Sequence, residues 1–416
     1  MTDKLTKEMK MVKIDDLVPY QNNARTHSQA QINKLRASLR EFGFVNPIII
    51  DSDNTIIAGH GRLEAARAEG LKEVPCVLVD YLTEAQKKAY VIADNRFALD
   101  AGWDEEMLKA EIEALEAEAF DLTLTGFDLP EIEDLFRSDT EENLIDDDFD
   151  VDEELKNPAI TKQGDIWVLG RHRLLCGDST DHANFVFLME GKKANMVLTD
   201  PPYNVNYEGN AGKIKNDNME DSKFYQFLYE AFSCMNENMA DDASIYVFHA
   251  DTEGLNFRKA FADAGFYLSG CCIWKKPSLV LGRSPYQWIH EPCLFGWKKG
   301  GKHQWYAGRK ETTVWEFEKS KKNDVHPTMK PIPLLAYILM NSSMSNTLIL
   351  DPFGGSGSTL IACEQTDRSC NTIELDEKYC DVIVKRYIEF KESDEDVKLI
   401  RDGKEYTYKE VEEADE

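Results

Sequence analysis

Two short apolar runs each end in an aspartate–proline loop, and that pairing restricts the fold of this chain more than any other feature. Met196-Val197-Leu198 runs into Asp200-Pro201-Pro202-Tyr203. Thr347-Leu348-Ile349-Leu350 runs into Asp351-Pro352-Phe353-Gly354-Gly355-Ser356-Gly357-Ser358-Thr359, beyond which a helical pattern begins. Apolar runs of this length, bounded by turn residues, suit buried strands. Two such strand-end loops, about 150 residues apart, predict one crevice at the carboxyl edge of an α/β sheet. One loop brings a carboxylate, two prolines and an aromatic ring; the other brings a glycine-rich turn for a nucleotide-like ligand. The pair points to group transfer onto a planar, polar substrate.

A chain of 416 residues suits two or three domains. No apolar run approaches the ~20 residues of a membrane span. The charged stretch Met1 to Lys10 has no apolar segment behind it, so no secretory signal and no membrane partner are expected, and the location expected is cytoplasmic. The nine cysteines are scattered without a C-x-x-C pair, which argues against a disulfide framework or a structural zinc, and no metal is expected. The net charge of −28 opposes phosphate binding until its distribution is considered. Asp104 to Lys156 holds 22 acids against 3 bases, and Glu389 to Glu416 holds 12 against 5. Between Arg258 and Lys330 the balance reverses to 14 bases against 6 acids. That local excess suits a phosphate-facing surface; a solvated lysine-rich face accounts for the count equally well.

Periodicity divides the chain. In residues 1–100, Ser28 caps a helix with Ile32, Leu35, Leu39 and Phe42 on one face, and Gly43 terminates it. Pro47 to Ile50 and Thr55 to Ala58 read as strands around an Asp-Asn turn, and Gly59-His60-Gly61-Arg62 leads into a helix closed by Gly70. A further strand from Cys76 and a helix from Thr83 complete a small α+β unit. Residues 101–160 read as an acidic helical stretch decaying into a solvated, mobile linker. Residues 161–391 form the larger domain. There a hairpin turns at Gly170-Arg171, and strand runs at 196–199, 244–248, 269–274, 347–350 and 370–373 alternate with helical patterns. That alternation predicts a mainly parallel, doubly wound α/β sheet. Residues 392–416 are an acidic tail with a small hairpin turning at Asp402-Gly403.

Gly354, Gly355 and Gly357 allow a tight turn and close backbone approach to a ligand, with Ser356, Ser358 and Thr359 at the start of the next helix. The G-K-[ST] ending of a phosphate-binding loop is absent, which weakens an ATPase reading. About 20 residues on, Glu374 ends the next strand pattern, where an acid can accept hydrogen bonds from ribose hydroxyls; alone, it reads equally as a surface acid. Together with the Asp-Pro-Phe prefix these residues point to an adenosyl ligand. The Asp200 loop adds another chemistry. An exocyclic base amine is a poor nucleophile because its lone pair is delocalised into the ring. The Asp200 carboxylate and the Pro201 carbonyl could accept its hydrogens and favour the pyramidal geometry that exposes the lone pair. Pro202 stiffens the loop and Tyr203 could stack on the base. Taken alone, the tetrapeptide is also explained as a turn after a strand.

These residues resemble the DNA amino-methyltransferases that use S-adenosylmethionine, in particular their beta class, where the Asp-Pro-Pro-Tyr motif precedes the cofactor motif. Also matching are Cys176-Gly177-Asp178-Ser179, His326-Pro327-Thr328-Met329-Lys330-Pro331, and Glu374 through Tyr379 to Arg386, over about 230 residues. The resemblance implies a Rossmann-like domain of permuted motif order. Its cofactor contacts would be Asp351, Phe353, Gly354 to Thr359 and Glu374, with Asp178, His326, Thr328 and Lys330 lining the same pocket. It implies double-stranded DNA as partner, a flipped base, and a target-recognition region at about 255–325. The basic, aromatic segment there carries the expected DNA contacts Lys275, Lys276, Arg283, Lys298, Lys299, Arg309 and Lys310. Asp at the first motif position favours adenine N6 over cytosine N4. Carbon-5 cytosine chemistry, which needs a cysteine in a Pro-Cys setting, is set aside because Pro75-Cys76 lies outside this domain. His290 and Glu291 are expected to be pocket scaffolding. A homodimer and a restriction endonuclease partner are both compatible with such an enzyme.

The N-terminal module resembles the ParB/sulfiredoxin-like superfamily through Pro19 to Arg25, Asn46-Pro47-Ile48 and Ala58 to Ala66. The resemblance implies a phosphate or nucleotide site at the glycine-arginine turn, with Arg25 and Arg62 as phosphate contacts. The second arginine of the Gly-Glu-Arg-Arg form is absent, and His60 stands where sulfiredoxin has its cysteine. A structural DNA-docking module is an equal alternative. A rival reading from another class is a ParB-like DNA-binding or nucleotide-switch protein whose methylase half only recognises DNA.

Overall fold

The computed structural model describes residues 9–21, 23, 25–100, 102–147, 149–205, 208–209, 212–213, 217–280, 285–317 and 329–415. They divide into two units, Met1–Leu135 and Phe136–Glu416.

In the first unit Ser28 starts α1 (Gln29–Phe42) by accepting the Gln31 N–H at 3.2 Å, and Gly43 ends it at φ 73°. Strands β1 (Met9–Lys13), β2 (Ile48–Ile50), β3 (Ile56–Ala58) and β4 (Glu73–Leu78) form a sheet in the order β1-β4-β2-β3. The β2–β3 turn is held by Asp51, whose carboxylate accepts the Asp53 and Thr55 N–H groups, with Asn54 at φ 58°. Ile48, Ile50, Ile56, Val74 and Cys76 bury one face of this sheet beneath α1 and α2 (His60–Ala68). Helices α3 (Glu84–Asp100) and α4 (Glu105–Ala117) follow, and α5 (Leu129–Asn143) crosses the division between the units.

The second unit contains the short α6 (Val151–Glu154), β5 (Ile166–Leu169), β6 (His172–Cys176), α7 (His182–Met189) and β7 (Ala194–Thr199). The two-residue strands β8 (Glu208–Gly209) and β9 (Gly212–Lys213) pair with each other and precede α8 (Asp221–Asn238), β10 (Met239–Phe248) and α9 (Gly254–Asp263). Then come β11 (Phe266–Val280), β12 (Trp288–Lys298), β13 (Val314–Glu316), α10 (Ile332–Ser342), β14 (Leu348–Asp351) and α11 (Ser358–Gln365). The chain finishes with β15 (Ser369–Glu374), α12 (Glu377–Lys391), β16 (Val397–Arg401), β17 (Lys404–Thr407) and α13 (Tyr408–Asp415).

One sheet runs β13-β11-β12-β10-β7-β14-β15-β6-β5-β16-β17. Its centre, β10-β7-β14-β15-β6, is parallel. From β7 the chain passes through α8 to β10 on one side; from β14 it passes through α11 to β15 on the other. The direction of winding therefore reverses between β7 and β14, the place where open α/β sheets bind ligands. Side-chain alternation separates two cores. Met196, Leu198 and Ile349 pack toward α10, α11 and α12, while Val197 and Leu350 pack toward α7, α8 and α9. Each such aliphatic side chain contributes about 1.5–3 kcal/mol by leaving water. Among the described residues no helix is long and apolar enough to cross a membrane.

Three expectations need correction. The expected mobile linker up to residue 160 is a packed strap: Phe149, Val151 and Leu155 bury against Met329 and Val382. Asp146 accepts the Ile332 N–H at 2.8 Å, and Asp147 pairs with Arg386 at 2.7 Å. Averaged composition hid three apolar anchors among the acids. The expected tail is an edge of the main sheet, since β16 pairs antiparallel with β5 and turns through Asp402 (φ 51°) and Gly403 (φ 72°) into β17. The third is β12, which was not expected as a strand. Its His290-Glu291-Pro292 stretch and Gly296 interrupt the apolar alternation, and pairing on both sides supplies what propensity does not.

Candidate active site at the switch point

β7 and β14 are hydrogen-bonded neighbours, with Leu350 opposite Val197. Asp200 and the glycine loop therefore emerge side by side. Thr199 locks the two strand ends by donating from Oγ1 to Asp351 Oδ1 at 2.7 Å, and the Phe353 N–H donates to the same oxygen at 3.2 Å. Asp351 is buried, and burial pushes its carboxyl up to about 7 against those hydrogen bonds.

The glycine loop is drawn tight over β15. Gly354 N–H donates to Ile373 O at 2.9 Å, and the Cβ of any larger residue at 354 would come 2.6 Å from Thr372 Oγ1. Gly355 (φ 53°) and Gly357 (φ 85°) hold left-handed conformations that favour glycine. A Cβ at Gly355 would meet no atom within 4 Å, so this part of the loop offers bare backbone to a ligand. Glu374 accepts the Gly355 N–H on one carboxylate oxygen and the Asp376 N–H on the other, both at 2.8 Å. Burial pushes the carboxyl up to about 7 against these backbone hydrogen bonds. Gly177 N–H donates to Glu374 O at 2.9 Å, and Ser179 Oγ donates to Pro352 O. The Cys176 to Ser179 motif is thereby brought to the same place. Asp178 itself accepts from Thr180 N at 2.9 Å and Thr180 Oγ1 at 2.8 Å. A carboxylate at the strand end beside exposed backbone and the Phe353 ring fits the ribose and adenine of an adenosyl cofactor. Arg386, unassigned a role from sequence, clamps the loop by donating to Ser356 O at 2.8 Å and Ser358 Oγ at 3.1 Å.

Across the switch point, Pro201 is buried and Tyr203 packs edge-on against Phe257 at 6.4 Å. Tyr203 donates its hydroxyl to Asp200 Oδ1. Lys330 Nζ donates to Asp200 Oδ2 at 2.6 Å, to Tyr203 Oη at 3.2 Å, and to Glu291 Oε2 at 3.0 Å. Lys276 pairs with Glu291 Oε1. Burial pushes the Asp200 carboxyl up while Lys330 pulls it down. Burial alone would lower the Lys330 ammonium, but the two carboxylates outweigh it and hold it protonated. The structure thus sets Lys330 on the Asp200 carboxylate, where the sequence motif suggested the cofactor pocket. Glu291 joins the same group.

The basic residues scatter. Lys276 faces inward on Glu291, with 14% of its side chain exposed. Lys275 pairs with Glu316 at 3.0 Å and Lys298 with Asp241 at 3.0 Å. Because Cys293 is opposite Phe248 and Trp297 opposite Ser244, Lys298 and Lys299 lie toward the amino edge of the parallel strands, away from Asp200. Lys299, Arg309 and Lys310 are exposed. Of the aromatics, Trp274 and Trp315 are core, while Tyr286, Trp288 and Trp305 are exposed. Arg283, His326 and Thr328 lie outside the described residues. A second Pro-Cys pair, Pro292-Cys293, escaped the sequence reading. Cys293 is fully buried and its burial pushes the thiol well up, so it is no thiolate nucleophile.

In the first unit Arg25 donates to Asn95 Oδ1 at 2.9 Å, and half-buried Arg62 donates to Pro47 O at 3.3 Å. Gly59 (φ 100°) opens α2, and the Tyr20 N–H donates to His60 Nε2 at 3.3 Å.

A doubly wound sheet with an adenosyl-type loop and an acidic loop at its switch point defines a Rossmann-like group-transfer protein. Residues 194–385 match the DNA methylase family of N6/N4 type, 106–163 the ParB-methyltransferase HTH domain, and 2–95 the ParB N-terminal domain. The chain thus carries a DNA methylase domain of N6/N4 type with a ParB-like domain ahead of it. It is 44% identical over 75 residues to the ParB-like nuclease domain-containing protein YnaK of Escherichia coli, covering 18% of this chain and 86% of that one. It is 24% identical over 233 residues to the type II methyltransferase M2.MboI of Moraxella bovis, covering 50% and 85%. Among solved structures the M1.HpyAVI–SAM complex is similar at 21% identity and a TM-score of 0.41, covering 51% and 98%.

Proposed function

We propose that the second unit methylates the exocyclic amine of a base flipped out of double-stranded DNA, with adenine N6 as the target. The adjacency of the Asp200 loop and the glycine loop across the β7–β14 pair carries this reading. Glu374 would hold the ribose hydroxyls and the Gly354–Gly357 backbone the rest of the cofactor, beside Phe353, Asp178 and Thr359. S-adenosylmethionine supplies the electrophilic methyl when bound. Asp200 accepts one hydrogen of the target amine and the Pro201 carbonyl accepts the other, so that the nitrogen pyramidalises and its lone pair is directed outward. Tyr203 orients Asp200 through its hydroxyl and offers its ring to the unstacked base. Transfer of the methyl to the amine nitrogen would break its bond to the cofactor sulfonium and leave the neutral thioether, and the nitrogen sheds one proton to Asp200 or to water. Asp in the first motif position supports adenine over cytosine through the family tendency. The exposed basic residues and the ParB-like unit support DNA docking, with a homodimer and an endonuclease partner as compatible arrangements.

Asp200→Ala tests the assignment. Transfer of labelled methyl to duplex DNA is expected to fall roughly 10²–10⁴-fold, with structured RNA and protein unlabelled by the parent chain. Persisting DNA methylation by the variant would sink it. Methylation-aware long-read sequencing of DNA from expressing cells is expected to report N6-methyladenine in a fixed context; N4-methylcytosine would replace the adenine assignment.

A further inference from the structure

Four charged side chains from four separate segments share one network behind the amine site. Asp200 follows β7, Lys276 lies on β11, Glu291 on β12, and Lys330 just ahead of α10. Lys330 is 6% exposed and spends its three N–H donors on Asp200, Glu291 and Tyr203. Glu291 divides its two oxygens between Lys276 and Lys330. The formal charges cancel, which is the condition for burying ions at bearable cost. The other groups facing Asp200 are Asp351 at the end of β14 and the neutral Cys293 thiol on β12. Lys330 therefore carries the positive charge in direct contact with Asp200, and it is aimed there by Glu291.

We propose that Glu291, with its charge cancelled by Lys276, is a positioning residue that holds the Lys330 ammonium against Asp200 and so keeps Asp200 an anionic acceptor for the target amine. This rests on the methyl-transfer reading above. An Asp200 that gained a proton would donate toward the amine instead of accepting from it. An ammonium, unlike a water, cannot take a proton from the amine, so Lys330 tunes Asp200 without competing as a base. Breaking one member leaves a buried charge without its partner; removing two opposite members together preserves neutrality.

The test is a set of single-turnover pH–rate profiles on duplex DNA with saturating labelled S-adenosylmethionine. Lys330→Met is expected to move the acid limb upward by about one pH unit or more, because Asp200 loses the cation that opposes its burial. Glu291→Gln and Lys276→Met are each expected to slow transfer about 10- to 100-fold, with cofactor Kd little changed. The double variant Glu291→Gln/Lys276→Met is expected to recover about tenfold or more over either single change. Its glutamine oxygen can still accept from Lys330 and the network is neutral again. A double variant as slow as the product of its two singles, or an unmoved acid limb in Lys330→Met, would overturn the proposal. Circular dichroism and cofactor titration of each variant separate these outcomes from unfolding. Methyl transfer that survived Asp200→Ala would instead defeat the methyl-transfer reading on which the network depends.

Discussion

At the scale of single residues the site contains three carboxyls, Asp200, Asp351 and Glu374, that burial pushes up. Asp351 is held near 7 by burial, well above the 3.8 of an unfolded aspartate. Between those values the folded chain binds a proton that the unfolded chain does not, so stability falls as pH rises through the window. Asp351→Asn keeps an acceptor for Thr199 and removes the titration. Thermal or urea unfolding is expected to show the parent losing stability relative to the variant from about pH 4 to 7, by up to about 1.4 kcal/mol per unit, and none beyond. Parallel curves for the two proteins would contradict the assigned burial. Glu374 is the ribose candidate, and Glu374→Ala is expected to weaken S-adenosylmethionine binding about 10- to 100-fold by calorimetry, with the fold retained. The motif residues were legible in the sequence because their chemistry is local. The partner of Asp200 was not: Lys330 lies 130 residues away, and only the sheet brings them together. The Pro292-Cys293 pair shows the opposite case, where a local pattern suggests a nucleophile and burial removes it.

At the scale of elements, the strands with unbroken apolar runs were readable and those supported by neighbours were not. β7 and β14 carry their signal in Met196 to Leu198 and Leu348 to Leu350. β12 draws its order from pairing with both β10 and β11. The strap is the most consequential element that composition concealed. Phe149→Ala and Leu155→Ala are each expected to cost about 2–4 kcal/mol, measured as denaturant unfolding of the second unit. A solvated linker would lose almost nothing. The strap also acts on the cofactor side. Asp147 pairs with the Arg386 guanidinium, which in turn holds Ser356 O and Ser358 Oγ. The strap thus braces the glycine loop.

At the scale of the molecule, charge separates by segment. The net −28 sits mainly in helices α4 and α5, the strap and the C-terminal edge, while the β11-to-α10 region is basic. The acids of α4 and α5 read as solvated faces, and the structure gives each helix one buried isoleucine, Ile112 and Ile132. Arg309 and Lys310 stand exposed in the basic region. If both contact phosphates, Arg309→Ala/Lys310→Ala is expected to reduce the salt dependence of duplex binding by about 1.8 in log–log slope. An unchanged slope would place the DNA elsewhere. Sequence charge counts located this region; they could not separate the exposed cations from Lys275, Lys276 and Lys298, which are already paired.

The strap has a consequence during synthesis. Phe149, Val151 and Leu155 close against Met329 and Val382, residues made some 180 to 230 positions later. At roughly 5–20 residues per second, these apolar side chains wait on the order of tens of seconds for their partners. Through that interval the ParB-like unit is complete while the segment behind it stays sticky, so the nascent chain, rather than the finished enzyme, is where chaperones have most to do.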